Sequence, residues 1–221
     1  MVAIKQVHDQ GQQHHIMVTG EFANFVRPEL RIEGVSYEAP TPSALRGIID
    51  SVFWHPGVLT QIESIEICKP IRMVRYRTNG INKIAGKNTQ PLDVNDARTQ
   101  MSQLILRDVA YGVKFRLCLN VASTETCNIP KYDTMMHRRL ALGQFRYAPY
   151  LGRREFPADI VLASDATLKP IPISVDLGAM FFDFYYEGDP KISLYFDAKV
   201  ENGVIRVPTR KEVIAHHLGL E

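Results

Sequence analysis

Hydrophobic positions along the chain switch repeatedly between a period of two and a period of three to four. His14 to Gly20 alternates, with Ile16 and Val18 on one face, and predicts a strand. Leu45, Ile48, Ile49, Val52 and Phe53 then follow at helical spacing. Thr41 is positioned to cap that helix, and Pro42 suits its first position because no N–H is needed there. Pro56-Gly57 marks the stop. Gln61 to Cys68 alternates loosely as a second strand. Asp108 to Leu119 alternates cleanly, with Val113, Phe115 and Leu117 opposite Lys114, Arg116 and Cys118. Lys131 to Leu142 predicts a second helix with Met135, Met136 and Leu140 apolar and Gly143 as its stop. Asp159 to Ala163 is the fourth strand.

The order strand, helix, strand, strand, helix, strand predicts an α+β fold with a ferredoxin-like core, the β-α-β-β-α-β arrangement that RNA-recognition modules also use. That order restricts the fold without specifying a function. Residues 69–107 form a long insertion between the second and third strands, and a loop of that length is usually functional or mobile. Past Lys169 the chain is β-rich, with Asn202-Gly203 between Ala198-Lys199-Val200 and Val204-Ile205, a strong hairpin signal. The expected division is an RNA-recognition-type domain over 1–168 and a small β appendage over 169–221.

At 221 residues with 45% hydrophobic content, the chain can bury an ordinary core. No apolar run reaches the roughly 20 residues that span a bilayer, and the first 15 residues lack the apolar stretch of a signal peptide. Three cysteines, Cys68, Cys118 and Cys127, show no metal-ligand spacing and suit a reduced cytoplasmic setting.

Charge changes the picture more. A net charge of +2 conceals a block from Lys69 to Arg154 with 16 Lys and Arg against 5 Asp and Glu, a net of +11. The remainder carries 10 against 19, a net of −9. Such a block attracts a polyanion, although a solvated basic surface balanced by the acidic remainder has the same composition. Within the insertion, Lys69, Arg72, Arg75, Arg77, Lys83 and Lys87 occur with no acidic residue between Ile67 and Leu92, and Tyr76 is interleaved. This suits a flexible arm closing over RNA, with a solvated loop as the lesser alternative. A second cluster comprises Arg138, Arg139, Arg146, Arg153 and Arg154 with Phe145, Tyr147 and Tyr150. Arginine gives phosphate a planar fork of donors and stacks on bases, so this cluster favours RNA contact. Glu155 can neutralise Arg153 or Arg154. No HExxH, CxxC, paired-Asp or glycine-rich phosphate motif is present, so neither a metal nor a cofactor is expected. Phe53 and Trp54 are expected in the core. A ferredoxin-like protein with a small-molecule or protein ligand is the broader alternative, which the basic block opposes. A basic groove does not by itself reject DNA.

The segments VSYEAPTPSALRGIIDSVFWHPG, ICKPIRM, LILRDVAYGV and LGQFRYAPYLGRREFPA, in this order, resemble the Cas-five family of CRISPR systems in its type I-C d branch. The resemblance runs from about Gly20 to Ala163. It implies a subunit that binds the 5′ handle of a guide RNA within a multisubunit surveillance complex. In this branch it also implies a metal-independent endoribonuclease that cuts the repeat hairpin of the precursor transcript by attack of a 2′-hydroxyl. That reaction needs a base, an acid and a cation for the phosphorane.

Carried onto this sequence, the family's active positions are only partly filled. The Tyr or His before the tryptophan at the end of the first helix is Phe53, which has no proton to exchange. The Lys-His pair opening the second helix is Lys131-Tyr132. Three readings stay open. His55, just after Trp54, and Tyr132 have exchanged the Tyr and His roles; or His137, farther along the helix from Lys131, reaches the phosphate; or the protein binds processed RNA without cutting it.

Overall fold

The computed structural model describes residues 10–81, 93, 98–120, 123, 127–163, 169–186 and 191–219. Among these described residues eight strands form one sheet, with neighbours in the order β5-β1-β4-β2-β8-β7-β6 and β3 paired to β4 off that path. In chain order the elements are β1 (Gln10–Ala23), α1 (Pro42–Val52), β2 (Val58–Ile67), β3 (Met73–Ile81), β4 (Arg98–Leu119), α2 (Ile129–Ala141), β5 (Asp159–Leu162), β6 (Val175–Tyr185), β7 (Ile192–Glu201), β8 (Val204–Arg206) and α3 (Arg210–Leu218). All seven pairings between these strands are antiparallel. The architecture is α+β.

Helix α1 forms as its sequence dictates. The Thr41 side chain accepts from the Ala44 N–H, Pro42 opens the first turn, and Leu45, Ile48, Ile49 and Val52 are buried. Helix α2 is capped by Asn128, whose side chain accepts from the Lys131 N–H. It closes with paired bonds from Gly143 N–H to Leu140 O (3.3 Å) and Gln144 N–H to Arg139 O (2.9 Å), the 5→2 and 6→1 bonds of a Schellman stop. Both helices pack on the sheet, α1 against β2 and β6 and α2 against β1, β4 and β5, and they also touch each other. Ile16, Val18, Ile65, Val113, Phe115 and Leu117 are fully buried beneath them.

The C-terminal strands continue the same sheet, because β8 pairs with β2 at Ile65↔Ile205. Arg46 of α1 grips Asp183 of β6 with Nη1 at 2.8 Å from Oδ2 and Nη2 at 2.7 Å from Oδ1. Burial pulls that carboxyl upward, but Arg46, then a backbone hydrogen bond at Phe184 and the Arg210 charge, overcome it and hold it below the usual range. The Asn202-Gly203 turn forms, both residues having positive φ (50° and 79°).

Three expectations need correction. The insertion is not a structureless arm where it is described: Met73–Ile81 pairs with Leu106–Arg98 as an antiparallel ribbon that prolongs β4 to 22 residues. The β-rich C-terminal part also carries a helix that was not expected, α3, which follows β8 behind a complete Thr209/Glu212 capping box. Trp54 is not core: it is 51% exposed, while Phe53 is buried as expected. Lys83 and Lys87 lie outside the described residues. Among the described residues no helix is long and apolar enough to cross a membrane.

Candidate active site and nucleic-acid interface

Two chain segments converge at one end of the helical layer. Helix α1 ends at Val52 and Phe53 turns extended (φ −148°, ψ 128°), so Trp54, His55, Pro56 and Gly57 fold back toward β2. This turn is pinned to the end of β4. Asn120 Nδ2 donates to Pro56 O at 2.8 Å, and the Asn120 N–H to Gly57 O at 2.8 Å. Opposite it, the first turn of α2 projects Tyr132 onto the turn. Tyr132 Oη lies 3.3 Å from His55 Nε2, and the two rings are 4.8 Å apart. Phe53 packs on the same tyrosine with ring centroids 5.3 Å apart.

The other imidazole nitrogen is also engaged. His55 Nδ1 accepts the Gly57 N–H at 3.1 Å, and Cys127 Sγ lies 3.8 Å away. Since Nδ1 accepts, the hydrogen-bond network assigns the proton of the neutral ring to Nε2, directed at Tyr132 Oη. The phenol's own proton is then available in another direction. Lys131 is exposed on the preceding position of the same turn.

Arginines border this cluster, with mixed roles. Arg139 Nη1 donates to Val52 O at 2.8 Å, satisfying a terminal carbonyl of α1, and its guanidinium lies 5.5 Å from the Phe53 ring. Arg146 donates its backbone N–H to Ser51 O at 2.7 Å, and its guanidinium lies 5.5 Å from the exposed Trp54 ring. Beside it, burial pushes the Asp50 carboxyl up to about 6, against the pull of Arg46 and Arg146. Burial, with the Asp50 charge second, also raises the Tyr147 phenol, whose hydroxyl donates to Gly47 O at 3.3 Å.

The structure thus brings together His55, Tyr132 and Phe53, with Lys131 adjoining. His137 is exposed on α2. Helical geometry sets it about 140° around the axis from Tyr132 and about 240° from Lys131. No contact joins His137 to His55 or Tyr132 among the described residues. Arg138 and Arg154 are exposed; Arg153 is half-buried, with Nη1 3.8 Å from Glu155 Oε1. Arg75 and Arg77 project from the outer face of β3. Arg72 faces Asp108 at 3.7 Å, and Asp108 also takes Lys69 Nζ at 2.6 Å, which is the main reason its carboxyl is held low. Tyr76 does not stand ready for a base; it packs on Phe22 and Phe156 at 5.7 and 5.5 Å.

Sequence reasoning missed Asn128, Cys127, Gly57 and Asp50. Asn128 carried a readable signal, an N-cap residue two positions before Pro130. Cys127 and Asp50 carried none, because their significance is tertiary. Among the described residues, no group of three or more His, Cys, Asp or Glu is placed to hold a metal ion.

Comparison with known proteins identifies the family. A family model described as CRISPR-associated protein (Cas_Cas5) matches residues 16–208. A protein of Thermus thermophilus named CRISPR pre-crRNA endoribonuclease Cas5d is 35% identical over 217 residues, covering 89% of this chain and 91% of its own length. A protein of the same name from Mannheimia succiniciproducens is 34% identical, covering 86% of this chain and 92% of its own length. Among solved structures, a functionally uncharacterized protein of Streptococcus mutans superimposes with a TM-score of 0.70 at 23% identity, over 93% of this chain and 96% of that one. A chain of a CRISPR RNA-guided surveillance complex has a TM-score of 0.52 at 15% identity, over 90% of each. These likenesses to solved structures concern the fold alone; the family follows from the sequence matches. The chain belongs to the Cas5d family of CRISPR-associated proteins.

Proposed function

We propose that the protein cleaves precursor CRISPR RNA at the repeat hairpin without a metal, and stays on the 5′ handle of the product as a subunit of a surveillance complex. The observation that carries this reading is the 3.3 Å approach of Tyr132 Oη to His55 Nε2 beside Lys131. It supports an exchange of family roles, in which the tyrosine has moved to α2 and the histidine to the turn after α1. In this mechanism the 2′-hydroxyl attacks the neighbouring phosphorus and gives its proton to solvent water, the P–O5′ bond breaks, a 2′,3′-cyclic phosphate forms, and water later returns a proton to Tyr132. Tyr132 gives its proton to the departing 5′-oxygen, and the His55 Nε2–H stabilises the phenolate left behind. Lys131 offsets the charge on the phosphorane. His137 is held in reserve for the same role from farther along α2. Arg75, Arg77, Arg138, Arg146 and Arg154 hold the RNA backbone, with Arg72, Arg139 and Arg153 partly committed to protein partners. Lys83 and Lys87 complete the basic set.

The reading includes a ferredoxin-like core. Its support is the antiparallel order β5-β1-β4-β2 with α1 and α2 in the two crossovers. Residues 1–168 are taken as that RNA-binding unit and 169–221 as its appendage, in a cytoplasmic protein.

Incubation with the repeat hairpin in EDTA tests the proposal. Wild type should cut at one position, Tyr132→Phe should lose about 100-fold or more in rate, and Lys131→Ala should abolish cutting with little loss of binding. Cutting that requires added metal would reject the mechanism.

A second reading has its own observation. Phe53 fills the family's Tyr or His slot and is buried without a titrating group. Tight binding with no cut by wild type would make the protein a 5′-handle-binding subunit only, with a separate nuclease supplying the guide.

A further inference from the structure

We infer that the buried pair His14–Asp133 is a positioning device for the active turn of α2; the inference rests on the catalytic reading of Tyr132. Asp133 directly follows Tyr132, about 100° around the helix, and its carboxylate meets β1 rather than the His55 turn. Oδ1 accepts from His14 Nε2 at 2.9 Å, and Oδ2 from the Gln12 N–H at 3.0 Å. His14 is 3% exposed and Asp133 6%. The His14 ring is stacked on Phe115 of β4 at 5.2 Å, so neither partner can readily swing away. Gly11 is part of the device: a Cβ there would overlap the Asp133 carboxylate oxygens.

Besides His14, the carboxylate serves the N–H of Gln12, an exposed residue whose N–H water can take over. The rest of the buried face of α2 is Ile129, Met136 and Leu140, and apolar residues would fill the same space with less desolvation. Apolar packing, however, tolerates rotation and sliding. A carboxylate held at both oxygens by donors on one strand, β1, does not. The difference matters at Tyr132, whose hydroxyl stands far from the helix axis. A 20° rotation of α2 would carry that oxygen roughly 3 Å, enough to lose His55, since catalytic constellations need placement to about 0.5 Å. The sheet thus sets the rotational register of α2 through Asp133, and Tyr132 inherits it. His14 and Asp133 are positioning residues, away from the reacting atoms.

The test separates register from stability. His14→Leu/Asp133→Leu replaces the pair by apolar packing, and Asp133→Asn keeps the shape while weakening the bond to His14. Thermal unfolding, single-turnover cleavage and affinity for repeat RNA carrying a 2′-deoxy block at the scissile position are measured for each. If the pair positions Tyr132, the double leucine variant keeps wild-type stability and RNA affinity within about threefold but loses 30-fold or more in rate. Should its rate track its melting temperature instead, the pair is merely structural and the inference fails. Imidazole 15N spectra of the intact protein give a readout that does not need cleavage. The ring-nitrogen signals of His55 should move in the double variant, while those of His216 and His217 should not. Unmoved His55 signals would overturn the inference even if wild type proved not to cut, whereas moved signals in a non-cutting protein would sink only the catalytic reading.

Discussion

The Cys127 sulfur occupies the space that a side chain on Gly57 would need. A Cβ at residue 57 would overlap Sγ and come within 3.4 Å of His55 Nδ1, so the turn bearing His55 and the segment entering α2 fit only because residue 57 has no side chain.

Gly57→Ala should therefore destabilise the protein by about 1–3 kcal/mol, the usual cost of an overpacked site, and also disturb His55. Adding Cys127→Ala should restore most of the loss, because the Cys127 Cβ lies 3.5 Å from the new methyl, an ordinary contact. Urea unfolding of the two single variants and the double completes the cycle. Additive losses would mean that the thiol and the turn are not in conflict.

Neighbouring arginines on α2 should separate cleanly. Arg139 donates to Val52 O, so Arg139→Met should cost about 1–2 kcal/mol of stability by orphaning that carbonyl. Arg138 is exposed, so Arg138→Ala should stay within about 0.5 kcal/mol of wild type while weakening RNA binding. Melting curves and filter-binding titrations on the same preparations decide the matter. A stable Arg139→Met protein would remove its structural role.

What the sequence revealed was mostly local chemistry. Thr41-Pro42, Gly143 and Asn202-Gly203 each announced an element boundary, because caps and tight turns are decided by a few adjacent residues. The ribbon of β3 with β4 was hidden. Its inner residues, Val74, Tyr76 and Thr78, are only half-buried, and the outer Arg75, Arg77 and Asn79 read equally well as loop. Helix α3 escaped although Thr209 and Glu212 stand at capping-box spacing, because the β pattern just before it dominated the reading. In the candidate site, Lys131, Tyr132 and His55 could be proposed by sequence position. Their supports could not: Asp133 and His14 are 119 residues apart in the chain, and only the packing of α2 on β1 makes them a pair.

Phosphate contact by the ribbon should show as salt dependence. Arg75 and Arg77 are exposed on β3, whereas Arg72 already faces Asp108. Replacing Arg75 or Arg77 by alanine should lower the slope of log affinity against log salt by roughly 0.7–1 each, the loss of one phosphate contact. Arg72→Ala should change it by less. Equal slopes for all three variants would place the RNA away from this face.

Asp50 predicts a stability that changes with pH in an unusual direction for a carboxylate. Its folded pKa is raised from 3.8 to about 6, mainly by burial. The folded state holds this proton more tightly than the unfolded chain does. The resulting stabilisation is fully present below pH 4 and is lost as pH rises through 6. The shift of about two units corresponds to at most about 3 kcal/mol at 1.36 per unit, and partial exposure reduces this to roughly 1–2 kcal/mol. Asn cannot ionise, so Asp50→Asn should match wild type near pH 4 and be more stable by that amount at pH 8. Arg46 and Arg146 oppose this gain, since both attract the ionised carboxylate. Urea unfolding of the two proteins at pH 4, 6 and 8 measures the balance. A difference that does not grow between pH 4 and pH 8 would mean that the two arginines already compensate for the burial of Asp50.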